Sequence, residues 1–208
     1  MNDTAKLSCR CGKVSGRVID ASPQAASRIV CYCDDCQAFL HHLGRADLLD
    51  AHGGTDVVQV APASVAFDRG AEQIVGLRLT PKGLYRFYAA CCNTPLGNTL
   101  SPAIPFVGIV AQAFEDADRS FGKPVGAILG KFAVGTPPAG STRMNLPLLA
   151  SAVRKVLGWR LRGKAWPHPF FDRETRKPIR PITVLTNDER EALRPLCGPR
   201  DAPPESSL

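Results

Sequence analysis

The chain is poor in several things at once. Only 7% of its 208 residues are aromatic, it has four histidines, and Pro, Gly or charge interrupts every apolar run. None of those runs approaches the roughly 18 to 20 residues that a membrane helix needs, which excludes a transmembrane segment and leaves a soluble protein as the expectation. No Gly-rich run leads into Lys-Ser/Thr or fits the dinucleotide fingerprint, so the common phosphate-binding loops are excluded too. The opening residues MNDTAKLSC lack the basic start and apolar stretch of a signal peptide, and the expected location is a reducing cytoplasm.

Charge is present but unevenly spread. Residues 1–140 carry 13 Lys/Arg against 12 Asp/Glu, and residues 141–208 carry 13 against 7, so +6 of the net +7 belongs to the last third. That tail lacks regular aromatic interleaving and its cations are diluted by acids, which argues against nucleic acid as a partner.

Cysteine is what the chain has in pattern. Seven of eight lie in three clusters: Cys9 and Cys11 in SCRCG, Cys31, Cys33 and Cys36 in CYCDDC, and the adjacent Cys91 and Cys92. Disulfide frameworks belong to small secreted domains, and Cys-x-Cys pairs strain the bridge they would close. Thiolate is a ligand zinc holds well, so the clusters point to metal. On a strand, residues two apart face the same side, so each Cys-x-Cys presents two sulfurs together. Cys31, Cys33 and Cys36 then form a three-thiolate cup, and three protein ligands leave a position open for water or substrate. Cys9 and Cys11 need partners. Cys91 and Cys92 would complete four thiolates, provided the chain turns sharply between them, since neighbours on a strand face opposite ways. A site of Cys9, Cys11, Cys92 and a non-cysteine ligand, or no metal there, is the alternative. Cys197 is solitary and is assigned nothing.

The organisation reads as an antiparallel β domain. KVSGRVI, SRIVCYC, DVVQVAPASVAF, GLRLT and GLYRFYAACC have strand character, with turn signals at Ser22-Pro23, Gly53-Gly54, Asp68-Arg69-Gly70 and Pro81-Lys82-Gly83. After CYC a short helix is expected, capped by Asp34 or Asp35, with Cys36, Phe39, Leu40 and Leu43 on its buried face and His41 and His42 on its solvated one. Gly122, Gly126 and Gly130 suggest tight turns between buried strands. Pro137-Pro138-Ala139-Gly140 suggests a boundary, giving a β domain over 1–138 and a basic extension over 139–208. In the extension, Leu148, Leu149, Ala152, Val153, Val156 and Leu157 form an apolar stripe expected to pack on the β domain, although such a helix also suits a membrane surface. Thr186-Asn187-Asp188-Glu189 has the form of a capping box, predicting a helix through Arg194, and GPRDAPPESSL is expected to be disordered.

The order CRCG, CYCDDC, then GLYRFYAACCNTPLGN resembles the glutathione-dependent formaldehyde-activating enzyme family, which includes centromere protein V-like proteins. The resemblance covers residues 7 to about 100 and implies a β-tent zinc-binding fold with two zinc sites. It matches Cys9 and Cys11 to the structural site and Cys31, Cys33 and Cys36 to the catalytic zinc. The third motif departs: with Cys92-Asn93-Thr94-Pro95 on the family's Cys-Gly-Ser/Thr-Pro, the other family cysteine falls on Ala89, beside Cys91.

Two functions are expected from these features. The first is a zinc-dependent carbon–sulfur lyase-like enzyme with one or two Zn²⁺ per chain, acting on a small thiol adduct such as S-hydroxymethylglutathione, with glutathione as the small-thiol partner. The second is a non-catalytic zinc-stapled β module that binds an acidic partner through its basic tail. No base is singled out: His41, His42, His52 and His168 are tied to the cup by no spacing, and Tyr32, Asp34 or Asp35 would serve equally.

Overall fold

The structure, a computed structural model, describes residues 4–143 and 145–199. A hairpin of β1 (Thr4–Ser8) and β2 (Ser15–Ile19) leads to β3 (Ser27–Cys31), helix α1 (Asp34–His42), β4 (Thr55–Val60) and β5 (Val65–Arg69). A meander of β6 (Ile74–Arg78), β7 (Tyr85–Ala89), β8 (Thr94–Thr99) and β9 (Val107–Val110) follows. Then come α2 (Ala117–Phe121), the two-residue β10 (Ala127–Ile128), α3 (Leu146–Leu161), β11 (Ile182–Val184) and α4 (Asn187–Ala192). The chain is thus mainly β with few helices.

Two sheets form. The smaller has the order β1-β2-β5, and the larger the order β10-β3-β4-β9-β8-β7-β6-β11. All pairings are antiparallel except at the two edges of the large sheet, where β10 on β3 and β11 on β6 run parallel. Period-two alternation decides which residues each layer receives. In β1 and β2, Ala5, Leu7 and Val18 turn inward while Lys6 and Arg17 face water. In β7, Phe87 enters the core with Leu7, Val18, Leu96 and Ile109, while its neighbour Arg86 faces α1. A second cluster sits there: Phe39, Leu40 and Leu43 of α1 pack with Leu77, Leu79, Val110 and Leu185.

Several expectations change here. The N-cap of α1 is Cys33, whose sulfur accepts the Cys36 N–H at 3.3 Å; Asp34 and Asp35 fall in the first turn. The helix therefore starts from a cysteine turn, one that a carboxylate cap would displace by a residue. The glycine series does not sit between buried strands. Gly122 (φ +71°) ends α2, the Gly126 carbonyl accepts the Val30 N–H at 3.0 Å, and Gly130 opens a short 3₁₀ turn, with the half-buried edge strand β10 between them. The stripe of α3 splits: Leu148, Ala152 and Val156 are half-buried, whereas Leu149, Val153 and Leu157 are exposed.

Residues beyond 138 share the core. Phe170 stacks on Phe87 with ring centroids 4.0 Å apart, Phe171 meets Phe87 edge-on, and β11 extends the large sheet through β6. The Thr186 capping box forms, with Glu189 Oε2 accepting the Thr186 N–H and the Thr186 hydroxyl accepting the Glu189 N–H. Of the expected disordered end, Gly198 donates to Gln37 Oε1 at 2.8 Å, and the stretch from Arg200 onward lies outside the described residues. No helix among the described residues is long and apolar enough to cross a membrane.

Candidate metal centres

Cys9 follows β1 and opens a tight turn. Gly12 (φ +75°) supplies the left-handed backbone, its N–H donating to the Cys9 carbonyl at 2.9 Å, and Val14 N–H donates to Cys9 Sγ at 3.2 Å. Facing it is the β7–β8 loop. Ala89 pairs with Thr94, so residues 90–93 must reverse the chain, and Asn93 does so at φ +55° with its N–H on the Ala89 carbonyl at 2.8 Å. Asparagine is among the side chains that tolerate this conformation best. The turn removes the strand constraint that would have sent Cys91 and Cys92 to opposite faces. Sulfur separations are 3.6 Å for Cys9–Cys11, 3.8 Å for Cys9–Cys91, 3.3 Å for Cys11–Cys91 and 3.9 Å for Cys91–Cys92. All four sulfurs lie within 4.8 Å of one another and can hold a metal ion. Ala89, where the resemblance places a cysteine, is buried in the inter-sheet core, and Cys91 brings the fourth sulfur from the turn instead.

The electrostatics of this cluster are divided. Burial and hydrogen bonding with Cys11 and Cys9 push the Cys91 thiol up to about 12. Burial acts on Cys92 in the same sense, but hydrogen bonds from Thr94 and Cys11 outweigh it and bring Cys92 down to about 6. Thr94, to which the sequence gives a place in the third motif but no role, has its hydroxyl 3.2 Å from Cys92 Sγ, and that hydroxyl also accepts the Arg10 N–H at 3.0 Å.

The second cluster is built at the junction of β3 and α1. Cys31 ends the strand, Cys33 caps the helix and Cys36 lies in its first turn, with Cys36 Sγ 3.9 Å from Cys31 Sγ. The three sulfurs lie within 4.8 Å of one another and can hold a metal ion; among the described residues no fourth His, Cys, Asp or Glu joins them. Tyr32, between two of them, turns away and donates to Asp50 Oδ2 at 2.8 Å. The helix N-terminus, with its partial positive charge, favours thiolate here.

Arg86 is a feature the sequence reading missed. It projects from central strand β7 onto this cluster, only 1% exposed, with Nη1 3.9 Å from Cys36 Sγ and the guanidinium 5.2 Å from the Phe39 ring centre. Its Nη2 has no hydrogen-bond partner among the described residues. Hydrogen bonds from Cys31 and Cys33, with the charge of Arg86 behind them, hold Cys36 well below the ordinary thiol range, while hydrogen bonding to Cys31 and Cys36 pushes Cys33 up. The sequence carries one hint of it, a cation between Tyr85 and Phe87 in an otherwise aromatic and apolar run, which is costly to bury without an anion.

The remaining candidates are engaged elsewhere. Asp34 pairs with Arg190 and Arg194 and Asp35 with Arg190, fastening the C-terminal segment over the first turn of α1. Cys197 Sγ contacts the Asp34 and Leu193 carbonyls. His41 and His42 belong to neither cluster, His52 Nδ1 lies 3.3 Å from the Val134 carbonyl, and His168 sits among Trp166, Phe170 and Phe171. A cavity of about 800 Å³ opens beside the four-cysteine cluster, lined by Cys9, Arg10, Arg45 and Thr94 among others; the three-cysteine cluster does not line it.

No curated protein matches the chain. Residues 1–183, which include both cysteine clusters, match the family described as Family of unknown function (DUF6151), and the chain belongs to that family.

Proposed function

We propose that the chain is a cytoplasmic zinc protein of the β-tent type whose Cys31, Cys33 and Cys36 cup carries carbon–sulfur lyase chemistry on a small thiol adduct such as S-hydroxymethylglutathione. The observation that carries the proposal is the unequal number of ligands: four sulfurs converge at one centre and three at the other. Four protein ligands close a zinc site, and three keep a place for water or substrate. Zinc–sulfur bonds of about 2.3 Å imply tetrahedral sulfur–sulfur edges of about 3.8 Å. The shorter separations in the two clusters, 3.3 to 3.9 Å, bracket that value.

Zinc bound in the cup supplies Lewis acidity toward a thiol or carbonyl group. Three thiolates on Zn²⁺ leave a formal charge of −1, and the buried Arg86 cation brings the cluster to neutrality, which offsets the weakening of that acidity. In the lyase direction the adduct hydroxyl loses its proton, the C=O bond forms, and the C–S electron pair leaves on sulfur, giving thiolate and aldehyde. Arg86 and the N-terminus of α1 favour that negative sulfur. Tyr32, Asp34 and Asp35 are held by Asp50, Arg190 and Arg194, so the proposal assigns the proton to solvent and no side chain as base.

The test is exchange spectroscopy by NMR on glutathione and formaldehyde with the zinc-loaded full chain. The proposal expects faster adduct exchange with the wild type than with Cys36→Ser, whose four-cysteine centre is intact. Equal rates for the two proteins contradict it.

A further inference from the structure

Helix α3 has two faces, and both are apolar. At about 100° per residue, Leu148, Ala152, Lys155 and Trp159 share one side. This side meets the protein: Trp159 is buried, and the Lys155 ammonium donates to the Pro23 and Ala26 carbonyls. On the opposite side Leu146, Leu149, Val153, Leu157 and Leu161 form a stripe that is 61%, 49%, 49%, 53% and 87% exposed. Five aliphatic side chains in one uncovered row are not a scattered surface residue or two; a contiguous apolar patch of this kind marks a place where something binds.

Charge around the stripe says what. From Arg119 to Phe171 the chain holds nine Lys/Arg and no Asp or Glu. A hollow of about 450 Å³ along one flank of α3 is lined by Leu129, Leu148 and Leu149 with Lys131 and Arg143. A second hollow of about 650 Å³ is lined by Val153, Leu157 and Leu161 with Arg154, Lys155 and Arg162. Neither has a carboxylate in its lining. Arg160 donates to the Ala103 carbonyl at 2.9 Å and so holds the loop carrying exposed Leu100 and Ile104 beside the C-terminal half of the helix.

We infer that α3 docks the protein on a membrane surface rich in anionic headgroups, lying in the plane of the interface with Leu146, Leu149, Val153, Leu157 and Leu161 inserted and the flanking arginines at the headgroup level. An aliphatic row edged by cations and free of acids is the make-up of an interfacial helix. A second copy of the chain fits less well, because a two-fold contact on this face sets Arg154, Arg160 and Arg162 against their own equivalents with no carboxylate to pair. Nucleic acid accounts for the cations and leaves the aliphatic row without a role. The inference is independent of whether the cup is catalytic.

The experiment is flotation of the metal-loaded full chain with vesicles of phosphatidylcholine alone or with about 30% phosphatidylserine added. Expected are binding to the anionic vesicles, at least about tenfold weaker binding to the neutral ones, and release in about 0.5 M salt. The double variant Val153→Asp/Leu157→Asp is expected to lose about tenfold or more, and Arg154→Glu/Arg162→Glu several-fold, with metal content unchanged as the control for folding. These side chains are exposed, so the fold does not depend on them. Absence of vesicle binding, equal binding to both compositions, or binding indifferent to Val153→Asp/Leu157→Asp overturns the inference. So does a light-scattering dimer that the same variant dissolves in a protein that ignores vesicles.

Discussion

Arg86 Nη1 lies 3.9 Å from Cys36 Sγ, in a side chain that water does not reach. Among the described residues no carboxylate is within salt-bridge distance of this guanidinium. Arginine stays charged in proteins, and the charges that favour it here are those of Cys36 first, then Cys33, with Asp35 behind them. Removing one partner of such a buried pair costs about 3 to 5 kcal/mol. Arg86→Met is expected to weaken metal binding at the cup by about a hundredfold or more in chelator competition, leaving the four-cysteine centre unaffected. Arg86→Lys is expected to fall between. Wild-type affinity at the cup in folded Arg86→Met contradicts the charge argument.

Cys91 occupies the vertex that the resemblance assigned to Ala89. Cys91→Ala is expected to reduce bound metal by one equivalent per chain, whereas Cys197→Ser, whose sulfur lies against the Asp34 and Leu193 carbonyls and belongs to neither cysteine cluster, is expected to leave the stoichiometry unchanged. Elemental analysis of the two purified variants decides it.

His168 gives the fold a pH dependence of definite sign. Burial lowers its pKa to about 4, its Nδ1 accepts the Phe170 N–H at 3.1 Å, and it packs against Phe171. The unfolded chain takes up a proton near pH 6.5 and the folded one only near 4. The contribution is therefore complete above pH 6.5 and is lost as pH falls toward 4, amounting to about 3 kcal/mol at most. His168→Asn keeps an acceptor for the Phe170 N–H but cannot titrate. Urea unfolding at pH 7 and pH 4.5 is expected to show a smaller loss for the variant than for the wild type.

The clusters are legible because close cysteine spacing brings sulfurs together locally, but the strand geometry expected for the Cys-x-Cys pairs is not what does it: Cys9 and Cys11 sit in the turn after β1, and only Cys31 lies on a strand, with Cys33 capping α1. Strands are legible locally too: Ser15–Ile19 alternates between buried and exposed positions, and Tyr85–Ala89, which does not alternate, is marked by its aromatic residues between turn signals. Arg86 is not legible, since its role depends on the pairing that turns its face toward α1. Nor is the place of the last third: Phe170 and Phe171 lie in a Pro-interrupted stretch without periodicity, and β11 has three residues and pairs parallel with a strand about a hundred positions earlier. The sharp turn that Cys91 and Cys92 require for a shared ion is met at Asn93. The α3 stripe suits packing on the β domain or a membrane surface, and periodicity alone does not tell which of two apolar sides meets the protein.

Phe170 therefore belongs to the core despite lying beyond Gly140. Its ring stacks on Phe87 and fills the space above Gly97, where an added Cβ would stand 2.5 Å from the ring. Phe170→Ala is expected to lower stability by about 3 to 5 kcal/mol in urea unfolding at pH 7. A loss under about 1 kcal/mol would mean that the last third packs on the sheets only loosely.

The most direct test of the two-centre account is the metal content of freshly purified full-length chain, by elemental analysis with no metal added. The account predicts close to two zinc ions per chain, falling to one in Cys36→Ser. A value near zero with all eight thiols reduced contradicts it.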